Sequence, residues 1–197
     1  MISVKKLEKL IQEKDGYITT QDAQKYGIHR EYLSMFVKED KLIRISNGVY
    51  QTPNVWQDFL YSFQQKKNRT VYSHGTALYL HQLTDRDPLQ YHITVPSGYN
   101  TTQLKSEHVL TFTIKLELLD LGKTVLKTPY GNEIIAYNME RTICDLIRSR
   151  NKLDVTLVHE GLKNYINSPN RDLKRLMEYA KKLHVEKKMI EYVGLLI

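Results

Sequence analysis

The sequence predicts an α+β protein of two domains, because helical and strand patterns fill different parts of the 197-residue chain. Apolar residues recur at helical spacing before residue 40, and two strand patterns separated by an Asn-Gly dipeptide follow them. Four alternating segments between residues 91 and 137 predict a second, small and mostly antiparallel sheet. The pattern from residue 138 onward is helical, so the second domain is also expected to be α+β, with a helical C-terminal part.

The N-terminal helices have the spacing of a winged helix-turn-helix domain. An amphipathic helix over residues 4–14 is expected to cover the back of two shorter ones. Thr20 is predicted to cap the second helix, residues 20–26, which Gly27 can end in a left-handed conformation. The third helix, residues 29–40, is the recognition helix of this interpretation, and its buried side is predicted to carry Leu33, Phe36 and Val37.

The dipeptide Asn47-Gly48 predicts the wing that follows the recognition helix. It suits a type I′ turn, in which both central residues have positive φ, so the flanking strands should form a tight hairpin. Counted from that turn, Arg44 faces Gln51 on the outer side and Ile43 lies on the inner side. We therefore expect one side of the wing to pack and the other to contact a phosphate backbone.

Polar residues on the exposed side of this unit are the predicted DNA contacts. A helix-turn-helix reads base edges with its second helix, while surrounding polar groups bind phosphates. The alternative is a winged helix used only for protein contacts. The predicted contacts lie at the start of the second helix, on the recognition helix and on the wing: Thr20, Gln21, His29, Arg30, Tyr32, Ser34, Lys38, Arg44 and Asn47.

A domain boundary is predicted at Pro53-Asn54, because proline cannot continue a strand ladder and no apolar periodicity crosses it. The domains are then residues 1–54, which bind DNA, and residues 55–197. The second domain should begin with a helix from Val55 to Gln65 whose apolar stripe includes Trp56.

Charge and composition limit which classes of protein are possible. The net charge of +7 permits nucleic-acid binding without proving it, and the excess is greatest in residues 120–197, with fourteen Lys and Arg against ten Asp and Glu. The single cysteine, Cys144, excludes an internal disulfide and lies in an apolar helical stretch. No apolar run suits a membrane helix or a signal peptide, so we expect a cytoplasmic protein without a membrane partner.

The motifs of common enzymes are missing from the sequence. It has no Gly-rich phosphate loop, no GxSxG elbow and no nucleophile with an evident base. His74, His81 and His92 do not have a metal-binding spacing, and Glu133 lacks the lysine two residues later that a restriction-type nuclease would use. We expect no enzyme activity, no metal and no cofactor.

Three segments carry a family resemblance: Ile18 to Tyr50 in the winged helix, Tyr72-Ser73-His74-Gly75-Thr76-Ala77-Leu78, and Glu140-Arg141-Thr142-Ile143-Cys144-Asp145-Leu146. Together they resemble the AbiEi antitoxins of type IV toxin-antitoxin systems, which are abortive-infection regulators. The resemblance covers nearly the whole chain, and it depends on the order and spacing of the segments.

The resemblance implies an autorepressor and an antitoxin in one chain. Its N-terminal domain would bind inverted repeats in the operator of its own operon. Its C-terminal domain would counteract a nucleotidyltransferase-like toxin, AbiEii, without a stable complex. The matched segments suggest Thr76, Arg141, Thr142 and Asp145 as antitoxin positions, and the charge pattern adds Lys181, Lys182, Lys187 and Lys188, unless these lysines are only a solvated helix face.

Two other functions fit the same sequence. One is a winged-helix transcription factor whose C-terminal domain senses a ligand or a partner. The other is a nuclease that the winged helix targets to DNA.

Overall fold

The computed structural model describes residues 2–55, 58–104 and 107–194. The chain forms two compact units, Met1–Asn68 and Arg69–Ile197. Both units combine helices with a sheet, so the α+β class is confirmed. In the described part of the chain, no helix is both long and apolar enough to cross a bilayer.

The first unit has the element order of a winged helix followed by one further helix. In chain order its elements are α1 (Ile2–Glu13), β1 (Tyr17–Thr19), α2 (Thr20–Lys25), α3 (Arg30–Lys38), β2 (Ile43–Ser46), β3 (Val49–Gln51) and α4 (Phe59–Lys66). The strands form an antiparallel sheet in the order β1-β3-β2. Strand β1 was not predicted, because three residues are too few to show an alternating pattern.

The core of this unit follows the predicted helical stripes. Leu33 and Phe36 of α3 are buried against Leu7 and Leu10 of α1. Gly27 has φ +68° between α2 and α3, and Ile28 behind it is 3% exposed. The helix-turn-helix prediction is therefore confirmed in its main features.

The cap of α2 is Thr19, and its prediction as Thr20 was wrong by one residue. The Thr19 hydroxyl oxygen accepts a hydrogen bond from Asp22 N at 3.0 Å, and Asp22 Oδ2 accepts one from Thr19 N at 3.1 Å. These reciprocal bonds form a capping box, which satisfies two backbone donors at once. Strand β1 ends at Thr19 opposite Val49, so the helix starts directly after the strand.

The wing differs from the predicted hairpin in its register and its turn. Arg44 lies opposite Tyr50, and Ile43 opposite Gln51, with an irregularity between Arg44 and Ser46. Gly48 has φ +77°, but Asn47 does not have positive φ. The type I′ prediction is therefore wrong, and the bulge turns Ile43 outward, where it is 47% exposed.

Helix α4 belongs to the first unit, which explains why the units divide after Asn68 and not after Asn54. The helix starts at Phe59, capped by Asp58, whose Oδ1 accepts a hydrogen bond from Tyr61 N at 3.0 Å. Asp58 N also donates to the Tyr17 hydroxyl oxygen at 2.7 Å, and α4 contacts β2 and β3. Trp56, predicted to lie in this helix, is outside the described residues.

The second unit places a five-stranded sheet beside five helices within the described residues. Its elements are β4 (Val71–Tyr72), α5 (His74–Leu80), β5 (Tyr91–Pro96), β6 (Val109–Ile114), β7 (Lys123–Lys127), β8 (Glu133–Tyr137), α6 (Met139–Ser149), α7 (Val155–Asn167), α8 (Leu173–Lys182) and α9 (Glu186–Gly194).

This sheet has the order β6-β5-β4-β8-β7 and is mixed. The β4–β5 and β7–β8 pairs are antiparallel, while β4–β8 and β5–β6 are parallel. The four predicted strands are present, but the mostly antiparallel arrangement is wrong, since two of the four pairs are parallel, and the central strand β4, only two residues long, was not predicted.

Helix α6 is the centre of the second unit. Asn138 caps it, since its Oδ1 accepts a hydrogen bond from Arg141 N at 3.0 Å. The helix contacts α5, α7, α8 and α9, and its polar residues Glu140, Arg141, Thr142 and Asp145 are buried. Cys144, in the apolar stretch noted in the sequence, is among the buried core residues.

Candidate nucleic-acid interface

A concavity of about 800 Å³ opens on the first unit between α2, the start of α3 and the wing. Its lining is largely polar and includes most of the predicted DNA contacts. Those that line it are Thr20, His29, Arg30, Ser34, Arg44 and Asn47. The fold therefore brings together residues that are distant in the sequence.

The first turn of α3 forms one wall of this concavity. His29 is its N-cap residue, and its side chain makes no capping hydrogen bond. The N-terminal amide groups of a helix carry partial positive charge and suit an anion. Arg30 adds a full positive charge at the first helical position.

The wing forms the opposite wall, and Arg44 is held on it. Its Nη2 donates a hydrogen bond to Asn47 Oδ1 at 2.7 Å, and its Nε donates to Ser46 O at 3.3 Å. A guanidinium has five N–H donors, so these two bonds leave others for a phosphate. The wing turn lies close to α2, since a Cβ on Gly48 would be 2.8 Å from Thr20 Oγ1.

Behind this surface, burial and hydrogen bonding shift the pKa of the Asp22 carboxyl group in opposite directions. Burial tends to raise the pKa of its carboxyl group, but the hydrogen bonds from Thr19 and the charge of Lys14 outweigh it, so the pKa is lowered. Lys14 Nζ lies 3.3 Å from Asp22 Oδ1. The capping box of α2 is therefore ionic at neutral pH, which fixes the helix that leads into α3.

Gln21, Tyr32 and Lys38 do not line the concavity. Tyr32 was predicted to face outward, but it is half-buried and packs against the core of the first unit. Gln21 and Lys38 are exposed elsewhere on the same unit. These three residues remain predicted DNA contacts, with less support from geometry than the lining residues have.

The structure adds Glu31 and Gln24 to the lining. Glu31 precedes Ser34 by three residues, and helical residues at this spacing share a face. The sequence therefore contained a signal for Glu31, but the prediction selected only basic and neutral polar residues.

Residues 5–53 match a family model described as "Transcriptional regulator, AbiEi antitoxin". The resemblance to AbiEi antitoxins is thereby confirmed for the winged helix. The AbiEi match includes every residue that lines the concavity.

The other comparisons are more distant. The crystal structure of the RV2827C protein from Mycobacterium tuberculosis is similar with a TM-score of 0.48 and 14% identity, over 96% of this chain and 78% of that one. No curated protein matches the chain in sequence.

In the second unit, the positions that the AbiEi resemblance suggested do not form a surface. Thr76, Arg141, Thr142 and Asp145 are at most 2% exposed, so their prediction as an antitoxin surface is wrong. Thr76, on α5, is covered by β5, and Arg141, on α6, is enclosed by the 118–121 segment and by Tyr137.

Arg141 and Asp145 form a buried ion pair within α6. Arg141 Nε lies 3.0 Å from Asp145 Oδ2, and Arg141 Nη1 donates to the carbonyl oxygens of Leu118 at 2.8 Å and Leu121 at 2.6 Å. The guanidinium also lies 4.0 Å from the centre of the Tyr137 ring. Burial raises the pKa of the Asp145 carboxyl group, and the Arg141 charge opposes this effect.

The buried threonines have structural partners as well. Thr76 Oγ1 accepts a hydrogen bond from His92 N at 2.7 Å, and Thr142 Oγ1 donates to Tyr137 O at 3.4 Å. These bonds tie α5 and α6 to neighbouring strands.

The lysines of the predicted antitoxin surface are exposed. Lys181 and Lys182 end α8, while Lys187 and Lys188 lie in the first turn of α9. Lys181 Nζ lies 3.8 Å from Glu186 Oε1, so part of its charge is paired.

His74, His81 and His92, which were considered as metal ligands, each form hydrogen bonds with other protein groups. His74 is buried, with its ring nitrogens 2.9 Å from Ser73 Oγ and 3.0 Å from Ser149 Oγ. Burial lowers the pKa of His74 well below its ordinary value and lowers that of His92 to about 4. Across the described ranges, no group of three His, Cys, Asp or Glu side chains is arranged to hold a metal ion.

Proposed function

We propose that the protein represses its own operon by binding operator DNA through the concavity of the first unit, and that it acts as the antitoxin of a type IV system. The partner would be a nucleotidyltransferase-like toxin, countered without a stable complex. The proposal has two parts, which different observations support.

The observation that carries the DNA-binding part is the concavity itself. It combines the amide groups at the start of α3 with Arg30, and it sets Arg44 on the opposite wall, held by Asn47. Charged and amide donors on two walls suit the phosphate backbone on either side of a groove. The family that matches this unit is a family of transcriptional regulators.

The antitoxin part is supported by the family description and by the exposed lysines of α8 and α9. A basic surface suits an acidic partner. The buried residues Arg141 and Asp145 would contribute only by holding α6 in place.

Two measurements test the proposal. Purified full-length protein should bind DNA upstream of its own gene more tightly than unrelated DNA of equal length. Cells that express the neighbouring toxin gene should grow when the protein is co-expressed and stop growing when it is not. Failure of the first result contradicts autorepression, and failure of the second contradicts antitoxicity.

A second candidate function is a winged-helix transcription factor whose second unit senses a ligand. A pocket of about 560 Å³ in that unit is lined by apolar side chains such as Leu110 and Leu157, by His92, and by the charged residues Arg86, Asp87, Lys152 and Asp154. Its volume is in the range of small-molecule sites. DNA binding without rescue from any neighbouring toxin would favour this function.

A further inference from the structure

Glu31 is an acidic residue in the surface proposed to bind DNA. It lines the same concavity as Arg30 and Arg44, and its side chain is 83% exposed. His29 Nδ1 lies 3.6 Å from Glu31 Oε2, a contact that is an ion pair only when the imidazole is protonated. Ion pairs between exposed side chains are weak, so Glu31 is available to a ligand.

A carboxylate at this position opposes binding to the phosphate backbone. Each phosphate carries a negative charge, so Glu31 weakens binding to every DNA sequence alike unless it faces base edges. It is the second residue of α3, next to Arg30. In helix-turn-helix proteins the N-terminal residues of the recognition helix contact base edges in the major groove.

The four base pairs differ in what they offer a carboxylate. Guanine and thymine present acceptors to the major groove, which repel it, whereas cytosine presents the N4 amino donor. Adenine presents its N6 amino group beside the acceptor N7, so a second carboxylate oxygen would be repelled there. Cytosine is therefore the base that Glu31 suits best.

We infer that Glu31 is a specificity-determining residue that selects a cytosine in the operator through the N4 amino group. The inference rests on the proposed DNA-binding function, and it names the base that this part of the site reads. Glu31 lowers the affinity for random DNA, and only a contact with the N4 amino group of a cytosine offsets this loss. Arg44, on the wing, supplies affinity that does not depend on sequence.

The test is selection of full-length protein on a randomised DNA library, followed by sequencing of the bound fraction. The parent protein is compared with Glu31→Gln, which keeps the shape of the side chain and removes its charge. The control is Glu13→Gln on α1, which removes an equal charge from an exposed residue that does not line the concavity.

The parent should enrich at least one position in cytosine. In Glu31→Gln that preference should fall on the order of tenfold, or change to adenine, which glutamine binds through N6 and N7. The remaining positions should be unchanged, and binding to random DNA should become stronger. Glu13→Gln should keep the cytosine preference.

Each other outcome overturns the inference in a recognisable way. If Glu31→Gln keeps every base preference of the parent, Glu31 selects no base and affects DNA binding through its charge alone. If the parent binds DNA with no base preference, DNA binding is retained but Glu31 does not select a base. If the parent binds no DNA at all, the proposed function fails and the inference fails with it.

Discussion

Arg44 is a basic residue of the concavity whose side chain is held in place by hydrogen bonds. Its bonds to Asn47 and Ser46 reduce the side-chain entropy that binding would otherwise cost. We expect Arg44→Ala to weaken operator binding and to reduce the slope of log K against log salt by about 0.9, the value of one phosphate contact. Fluorescence anisotropy at several salt concentrations measures both quantities.

Lys38→Ala is the matched comparison for Arg44→Ala. Lys38 is also exposed and basic, but it lies in the last turn of α3 and does not line the concavity. Its substitution should change affinity and salt slope less. An equal or larger effect at Lys38 would move the DNA surface toward the other end of α3.

The buried ion pair of α6 predicts a large effect on stability. Arg141→Met leaves Asp145 without its partner and leaves the carbonyl oxygens of Leu118 and Leu121 without a donor. We expect a loss of about 3–5 kcal/mol in the free energy of unfolding, measured with urea. Arg148→Met, at an exposed position of the same helix, should change it by less than about 0.5 kcal/mol.

The double variant Arg141→Met, Asp145→Leu separates two explanations of this loss. If most of it comes from the uncompensated Asp145 carboxylate, the double variant should be more stable than Arg141→Met. If the double variant is no more stable, the lost bonds to the two carbonyl oxygens account for the effect.

His92 predicts how stability depends on pH. Burial lowers its pKa from 6.5 to about 4, so the unfolded chain binds more protons between these pH values. The contribution of His92 to the free energy of unfolding is therefore fully present above pH 6.5, and it is lost as the pH falls toward 4. Burial of His74 acts in the same direction.

His92→Gln removes one of these titrating groups. The dependence of unfolding free energy on pH should become shallower in this range by about 1.4 kcal/mol per pH unit, as expected for one proton. Chemical denaturation at a series of pH values gives the slope. An unchanged slope would show that His92 is protonated equally in the folded and unfolded chains.

At the scale of elements, the conformation of the wing turn depends on one glycine. Gly48 has φ +77° and faces Thr20 Oγ1, whereas Gly27 has φ +68° with nothing within 4 Å of its Cβ position. Gly48→Ala should cost both strain and contact, and Gly27→Ala only strain, which is about 1–2 kcal/mol. Thermal unfolding should rank Gly48→Ala as the less stable variant, and it alone should lose operator affinity. Equal losses of stability in the two variants would mean that the wing turn accommodates the added Cβ atom at no further free-energy cost.

Long periodic elements could be predicted from the sequence, and short ones could not. The stripe of Leu33 and Phe36 identified α3, because a helix of several turns repeats its pattern. Strands β1 and β4, of three and two residues, have no pattern to repeat. Their pairing is decided by neighbouring strands that are distant in the sequence.

The candidate site was predictable where exposure follows helical spacing. Arg30 and Ser34 were placed correctly by this rule, and Glu31 follows from it as well. Arg141 and Asp145 were suggested by the family resemblance, which could not show that the 118–121 segment and Tyr137 enclose Arg141.

At the scale of the molecule, the position of α4 decides where the chain can be divided. Leu60 and Phe63 of α4 are buried, at 4% and 1% exposure, and the helix contacts β2 and β3. A chain that starts at residue 55 keeps α4 but loses these partners. We therefore expect residues 55–197 to aggregate more than residues 69–197, since the first exposes an apolar face that the second lacks.

The last prediction is that residues 69–197 counteract the toxin without binding the operator. This unit has its own sheet, its own core around α6 and the exposed lysines of α8 and α9, and it is of ordinary domain size. The truncated chain should unfold cooperatively, restore growth in cells that express the toxin, and leave a promoter reporter unrepressed. The full-length protein is the control for both readouts, and reversal of Lys181 and Lys182 to Glu in the truncated chain tests the basic surface by loss of rescue. A truncated chain that unfolds cooperatively but does not restore growth would show that the winged helix takes part in antitoxicity.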